Sequence, residues 1–185
     1  MISTPPLFMG LDVGTGSARA GIFDATGRLL QVATRPIQVY RVEGHPLLYQ
    51  QSSEGIWRAL CTAVKEALDG LGKEPGQEGQ VAALSVTATC SMVVMREAGM
   101  RPVDVTPPGA TVVRSQPGDV DVSNVIMWLD HRARAEAEMI TGTGHPMLRH
   151  VGGKVSPENE VGGFGGLGLV LVLVELLIGS SRPKD

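Results

Sequence analysis

The chain has 185 residues, of which 43% are hydrophobic and 19% are charged, and its formal net charge is −3. That length is enough for one domain with a sizeable core, and the slightly acidic balance gives no electrostatic basis for binding nucleic acid or an anionic membrane. The two cysteines provide neither a disulfide framework nor metal-ligand spacing, and no secretory signal opens the chain, so we expect a soluble cytoplasmic protein.

The first elements form a predicted β-meander. Residues Leu7 to Val13 form a short apolar run that is followed by glycines, as expected for a buried strand. The alternating run "SARAGIFD" predicts a second strand. A turn at Ala25–Gly27 leads into a third extended run, in which Pro36 suits an edge position or a strand irregularity.

An amphipathic helix is predicted next, capped by Ser52 or Ser53, with Glu54 in its first turn. Apolar residues recur there at helical spacing: Ile56, Leu60, Val64, Leu68 and Leu71. The run "VAALSVTAT" predicts a buried strand, and "SMVVM" a second extended piece.

The remaining elements are less regular. Residues 96–123 predict a long irregular segment, and "NVIMW" a return to strand. A helix is then predicted from Asp130, its cap, with ion pairs at i,i+4 between Arg132 and Glu136 and between Arg134 and Glu138.

The glycine turn after the first strand fits neither of two common nucleotide motifs. The third glycine of a dinucleotide fingerprint is replaced by Arg19, the next segment predicts a strand rather than a helix, and no Lys–Ser/Thr pair completes a Walker loop. A strand–turn–strand phosphate loop remains possible, in which Asp12 orients a hydrated Mg²⁺ and Gly14–Gly16 presents backbone N–H groups. A plain glycine turn in a β-hairpin remains open as the alternative.

The stretch "GLDVGTGSARAGIFD" resembles the first phosphate motif of the FGGY carbohydrate kinases. Four further segments resemble the same family in the same order: "EGIWRALCTAVKEAL", "VAALSVTATCSMVV", "NVIMWLDHRARAEAEMI" and "VGGKVSPE". Within them, "WLDHRA" and "TATCS" indicate the pentulose, ribulose-type branch, although Thr87 stands where that branch commonly has an aspartate. The resemblance covers about residues 7–158, apart from a loop near 100–123 that looks like an insertion.

The resemblance implies an α/β fold of the ribonuclease H-like type, shared with actin and Hsp70, of which this chain holds an incomplete first domain. It also implies phosphorylation of a pentulose hydroxyl with ATP and Mg²⁺ as cofactors. The residues implied for phosphate and metal binding are Asp12, Gly14, Thr15, Gly16 and Arg19, with Asp12 holding Mg²⁺ through water. Those implied for sugar binding are Thr89, Cys90, Ser91, Asp130, His131 and Arg132.

Structural roles compete with some of these assignments. Asp130 is equally suited to capping a helix, and Cys90 to filling a small space in the core. Trp128 is expected in the core. The histidines without partners at ligand spacing are expected at the surface or in loops, and they are His45, His145 and His150.

The composition changes to glycine and aliphatic residues at 161–185. Ser156–Pro157–Glu158 is a good helix start, yet the following glycines would end that helix at once. A membrane anchor, a core strand and an alternative or out-of-frame terminus are all open, and we favour the last. We therefore expect residues 7–160 to be a partial N-terminal kinase domain with a loop insertion at about 99–123, and 161–185 to lie outside the family fold.

The family resemblance places the catalytic carboxylate downstream of this sequence, so no catalytic residue is assigned. We expect a truncated kinase that is inactive alone. A non-catalytic binding fragment and, less favoured, a fragment tethered to a membrane by its tail are the alternatives.

Overall fold

The computed structural model describes residues 5–72, 80–115 and 119–157. The predicted tail at 161–185 and Glu158 of the predicted helix start lie outside these residues. The chain divides into two compact units. The first unit contains residues up to Gln38 together with Glu54–Thr89, and the second contains Val39–Ser53 together with residues from Cys90 onward.

The elements follow in chain order. The strands are β1 (Leu7–Val13), β2 (Ser17–Phe23), β3 (Leu29–Pro36), β4 (Tyr40–Val42), β5 (His45–Gln51), β6 (Val81–Ala88), β7 (Met92–Val93), β8 (Met95–Arg96), β9 (Arg101–Pro102), β10 (Val112–Val113) and β11 (Val125–Ile126). The α-helices are α1 (Ser53–Gly70) and α2 (Arg134–Gly142), and a 3-10 helix spans Pro146–Val151.

The first unit contains a four-stranded sheet in the order β3-β2-β1-β6. Strands β1, β2 and β3 pair antiparallel, as the predicted meander requires, and β6 runs parallel to β1. The predicted turn before β3 is confirmed, because Gly27 N donates to Asp24 O at 3.0 Å and Gly27 has a φ of 84°. Pro36 ends the edge strand β3, where it blocks no ladder hydrogen bond.

One face of this sheet is buried against α1. Alternate residues of β1 and β2 supply the buried set: Leu7, Met9, Leu11, Val13, Ala18, Ala20 and Ile22. Helix α1 buries Ile56, Leu60, Ala63 and Ala67, and an ion pair between Arg35 of β3 and Glu66 joins helix to sheet. The predicted apolar stripe was therefore partly wrong, since the small residues Ala63 and Ala67 are fully buried and Leu68 is 41% exposed.

The opposite face of the sheet carries Phe8, Gly10 and Asp12 of β1 with their cross-strand partners, and we call it the open face. Strand β6 was predicted to be buried, and that prediction was wrong: Ala82, Ala83, Leu84 and Ser85 are all exposed. The physical reason is pairing, because in the described part of the chain β6 is hydrogen-bonded to β1 alone and forms an edge of the sheet.

The second unit contains a five-stranded sheet in the order β10-β4-β5-β11-β7 and a separate β8–β9 pair. The segment predicted to be irregular, 96–123, supplies β9 and β10, and β10 pairs antiparallel with β4. Val105 N also donates to Ser123 O at 2.8 Å, and the Tyr40 hydroxyl donates to Asp119 Oδ2 at 2.7 Å. This segment is thus integrated into the unit by backbone and side-chain hydrogen bonds.

Three sequence predictions in the second unit were wrong. Helix α2 begins at Arg134 rather than at Asp130, and Arg132 pairs with Asp130 rather than with Glu136. Trp128 is 38% exposed rather than in the core. Cys90 is exposed, which excludes the structural alternative that it fills a small space in the core. The predicted pair between Arg134 and Glu138 is confirmed at 3.0 Å. Within the described ranges, none of the helices has both the length and the apolarity to cross a membrane.

Candidate functional site

The turn between β1 and β2 is held by backbone hydrogen bonds at both ends. Gly14 N donates to Ser17 O, and Gly16 O accepts from Ile37 N, each at 2.9 Å. Neither Gly14 nor Gly16 has a positive φ, so the backbone conformation does not demand glycine at either position. A Cβ at Gly16 would meet nothing within 4 Å, and one at Gly14 would meet Ser17 O at an ordinary 3.5 Å. The missing side chains therefore leave open space beside the turn, which carries Thr15 at its tip.

Asp12 and Arg19 lie directly opposite each other on β1 and β2. Arg19 Nη1 donates to Asp12 Oδ2 at 2.5 Å, and the side chains are 51% and 42% exposed respectively. On the other side of Asp12, the neighbouring position in β6 is Thr87. All three residues line a concavity of about 320 Å³ on the open face, whose floor is formed mainly by Gly10, Gly21, Phe23, Leu29 and Val32.

The donor set at this concavity suits a hydrated Mg²⁺. Asp12 is the one carboxylate in its lining, and no group of three or more histidine, cysteine or acidic residues suited to metal appears among the described residues. Mg²⁺ commonly keeps several waters and binds through one or two carboxylates plus substrate phosphates, so a single exposed aspartate beside an open glycine turn fits it. A dehydrated, all-protein metal cage does not fit.

Of the residues implied for sugar binding, Thr89 lies in the first unit. Its backbone N donates to Val13 O at 3.0 Å, which sets Thr89 beside the last residue of β1, just before the glycine turn. The structure therefore brings Thr89 together with the implied phosphate residues. The other five lie in the second unit.

Asp130 is fully buried, and its carboxylate is surrounded by donors. Tyr49 N donates to Oδ2 at 2.8 Å and Arg132 N donates to Oδ1 at 2.9 Å. The Arg132 guanidinium adds a bidentate pair, from Nε to Oδ1 at 2.8 Å and from Nη2 to Oδ2 at 2.9 Å, and its Nη1 donates to Val105 O at 2.9 Å. This pair fixes the loop that carries His131 between them, because every hydrogen bond is charge-assisted or to backbone.

Ser91 and Trp128 are joined in the second unit. The Ser91 side chain is buried and its Oγ accepts from Trp128 N at 3.3 Å, while the indole is partly exposed and Cys90, next in the chain to Ser91, is exposed. The sequence analysis expected Trp128 in the core because a tryptophan after an apolar strand is typical of a core residue. Its position immediately before "LDHRA" is the sequence feature that connects it with the residues implied for sugar binding.

His131 is half-buried and its backbone N donates to Leu47 O at 2.9 Å. Its side chain lines a second concavity of about 490 Å³, confined to the second unit, together with His45, Arg132 and Arg134. As expected, His45 and the two later histidines, His145 and His150, are exposed.

Residues 7–151 match the model of the FGGY family of carbohydrate kinases, N-terminal domain. A D-ribulokinase of Saccharomyces cerevisiae is 34% identical over 154 residues, which are 83% of this chain and 20% of that protein. A human FGGY carbohydrate kinase domain-containing protein is 38% identical over 153 residues, 83% of this chain and 24% of its own length. The chain thus spans about a fifth to a quarter of the length of these curated relatives.

Solved structures of sugar kinases are similar to this chain in fold. A xylulose kinase from Brucella ovis superposes with a TM-score of 0.59 at 19% identity, covering 82% of this chain and 26% of that one. A xylulose kinase from Lactobacillus acidophilus gives 0.55 at 15% identity, covering 75% and 23%. The predicted ribonuclease H-like α/β fold of the sugar kinases is therefore confirmed, and the described residues correspond to part of its first domain.

Proposed function

Because the chain belongs to the FGGY family of carbohydrate kinases, we propose that it serves the ATP- and Mg²⁺-dependent phosphorylation of a pentulose of the ribulose type. The observation that carries this proposal is the arrangement on the open face, where a carboxylate, an arginine and a glycine turn with free space beside it lie together. The similarity to a protein named D-ribulokinase supports the choice of a pentulose.

In this proposal the phosphate side consists of Asp12, Gly14, Thr15, Gly16 and Arg19. Because Gly14 N already donates to Ser17 O, the backbone N–H proposed to donate to a phosphate oxygen is that of Gly16, which phosphate can approach closely because no Cβ stands in the way. Asp12 orients a hydrated Mg²⁺, whose chemistry when bound is to neutralise charge on the phosphates. Arg19 adds a guanidinium, whose fork of donors matches phosphate geometry.

On the sugar side, the hydrogen bonds divide the implied residues into two groups. Asp130 and Arg132 hold the loop in place, because the buried carboxylate and all three guanidinium nitrogens already have partners. For direct contact with the sugar, the proposal keeps the family-implied Thr89, Cys90, Ser91 and His131. We add the exposed Trp128 indole, whose flat apolar face can pack against the C–H groups of a sugar.

Neither site aspartate is placed to act as a general base toward the sugar hydroxyl. Asp12 is paired with Arg19 and assigned to the metal, and Asp130 is buried among four donors. The proposal therefore assigns no catalytic base to the described residues.

Both described cysteines, Cys61 and Cys90, are free thiols, which supports a reducing, cytoplasmic location.

The test is ligand binding and turnover by the purified chain. We expect MgATP to raise its melting temperature, because a ligand that binds the folded state alone stabilises it by mass action. Asp12→Asn should abolish the rise, and a coupled assay with ATP and D-ribulose should show no turnover. Absence of any MgATP effect contradicts the phosphate-site assignment, and turnover contradicts the conclusion that neither Asp12 nor Asp130 is placed to act as a base.

A further inference from the structure

We propose that Arg19 is an internal counter-ion for Asp12, and that it must leave Asp12 when a divalent cation binds there, which turns its guanidinium toward the bound phosphates. The inference rests on the proposed function, because it concerns the regulation of the same site. It makes metal binding and phosphate binding at this site mutually dependent.

The first support is the register of the sheet. Asp12 and Arg19 are direct cross-strand partners on β1 and β2, so their Cα atoms lie side by side and both side chains project from the open face. The 2.5 Å contact between Arg19 Nη1 and Asp12 Oδ2 therefore follows from two regular strands, and it does not depend on a loop.

The second support is the position of the guanidinium. Arg19 Nη1 lies 3.9 Å from the point that a Cβ on Gly14 would occupy, as well as beside the Asp12 carboxylate. The Arg19 guanidinium thus lies close both to the carboxylate proposed for the metal and to the turn proposed for phosphate. From this position a small movement of one side chain exchanges an aspartate partner for a phosphate partner.

The third support is electrostatic. In the lining of this concavity, Asp12 and Arg19 are the two charged residues, so each neutralises the other. A divalent cation at Asp12 would lie next to the guanidinium, and like charges in contact repel. Because both side chains are about half exposed, solvent weakens their pair to a strength that an incoming ion can overcome.

It follows that metal binding and phosphate binding should each strengthen the other. Without phosphate, Arg19 competes with the metal for Asp12. With phosphate present, Arg19 has a second anionic partner, and Asp12 is released for the metal. Since coupling between two sites is reciprocal, phosphate should strengthen metal binding as much as metal strengthens phosphate binding.

The experiment measures Mn²⁺, as a paramagnetic probe, binding to the full 185-residue chain by electron paramagnetic resonance. Arg19→Gln removes the competing charge, so Mn²⁺ alone should bind about two- to fivefold tighter, the factor that the usual strength of an exposed ion pair gives. The same variant should bind inorganic tripolyphosphate about tenfold more weakly, because charge-assisted hydrogen bonds are lost. The two effects therefore have opposite signs.

Arg28→Gln is the matched control, because it removes the same charge from another exposed pair, Arg28 with Asp24 at 3.1 Å, that does not line the concavity. It should leave both affinities unchanged, and circular dichroism melting should show that each variant is folded. Mn²⁺ binding that survives Asp12→Asn overturns the metal assignment itself. Binding that depends on Asp12 but is unchanged or weakened by Arg19→Gln overturns the counter-ion role alone.

Discussion

A substitution at Gly16 can distinguish a phosphate loop from a plain hairpin turn. The fold does not need glycine there, since its φ is not positive and a Cβ would contact nothing within 4 Å. We predict that Gly16→Ala leaves the free energy of unfolding within about 0.5 kcal/mol of the wild type, as for other unconstrained surface sites. MgATP should bind about tenfold more weakly, because the new methyl group occupies the space through which phosphate approaches the backbone.

Gly142→Ala provides the control for this prediction. Gly142 ends α2 in the second unit, its φ is not positive, and a Cβ there also contacts nothing within 4 Å. Thermal unfolding and calorimetric titration with MgATP should show neither a large stability loss nor a weaker affinity for this variant. Equal MgATP affinity in wild type and Gly16→Ala would identify the segment as an ordinary hairpin turn.

How far individual site residues can be predicted depends on whether their role is local. Asp12 and Arg19 were proposed for the phosphate site from one short motif and its family resemblance, and the structure shows that they are direct cross-strand partners on either side of the turn. Their role at the site stays a prediction. Asp130 and Trp128 were misjudged in part because of contacts with distant residues: Asp130 accepts a hydrogen bond from Tyr49 N in addition to those from the nearby Arg132, and Trp128 lies beside Ser91. Sequence spacing carries no signal for such contacts.

The same division holds for secondary-structure elements. Strands β1 to β3 and helix α1 were predicted because alternation and helical spacing are local patterns, and both are complete within each segment. The burial of β6 was not predictable, because it depends on what lies beside the strand rather than on its own residues. The two-residue strand β10 was missed for a related reason, since it is defined only by pairing with β4, about seventy residues away in sequence.

Tyr40 is the side chain that fastens the segment after β10 to β4. It is 1% exposed, its hydroxyl donates to Asp119 at 2.7 Å, and Arg114 lies over its ring at 4.6 Å while contacting Asp119 at 3.3 Å. We predict that Tyr40→Phe lowers the free energy of unfolding by about 1.5–3 kcal/mol near neutral pH, since a buried hydrogen bond to a carboxylate is lost. Urea unfolding of the two proteins measures this difference.

The same tyrosine predicts how stability changes at alkaline pH. Burial, and then the hydrogen bond to Asp119, raise the pKa of Tyr40 above its ordinary value of 10. The folded state therefore keeps a proton that the unfolded chain releases, so this contribution to stability is complete below pH 10 and falls as the pH rises further. Unfolding curves from pH 9 to 11 should converge for wild type and Tyr40→Phe, and parallel curves would contradict the assignment.

For the molecule as a whole, the two edges of the first sheet differ in how well they resist association. Edge strand β3 contains Arg35 and ends in Pro36, and both charge and proline discourage pairing with another chain. Edge strand β6 has the sequence VAALSVTA, without charge or proline, and Leu84 in its middle is 46% exposed. With a formal net charge of only −3, the chain has little long-range repulsion to oppose such contacts.

We therefore predict that the purified chain associates through β6 in a concentration-dependent way and that Leu84→Lys suppresses this association. A lysine in the middle of an unprotected edge strand would have to be desolvated against a neighbouring chain, which opposes strand pairing. Val32→Lys is the matched control, because Val32 is 52% exposed on the other edge strand, β3, and receives the same change. Sedimentation velocity across a concentration series should show smaller species for Leu84→Lys alone. An equal decrease in species size for both variants would show that net charge, and not the β6 edge, controls the association.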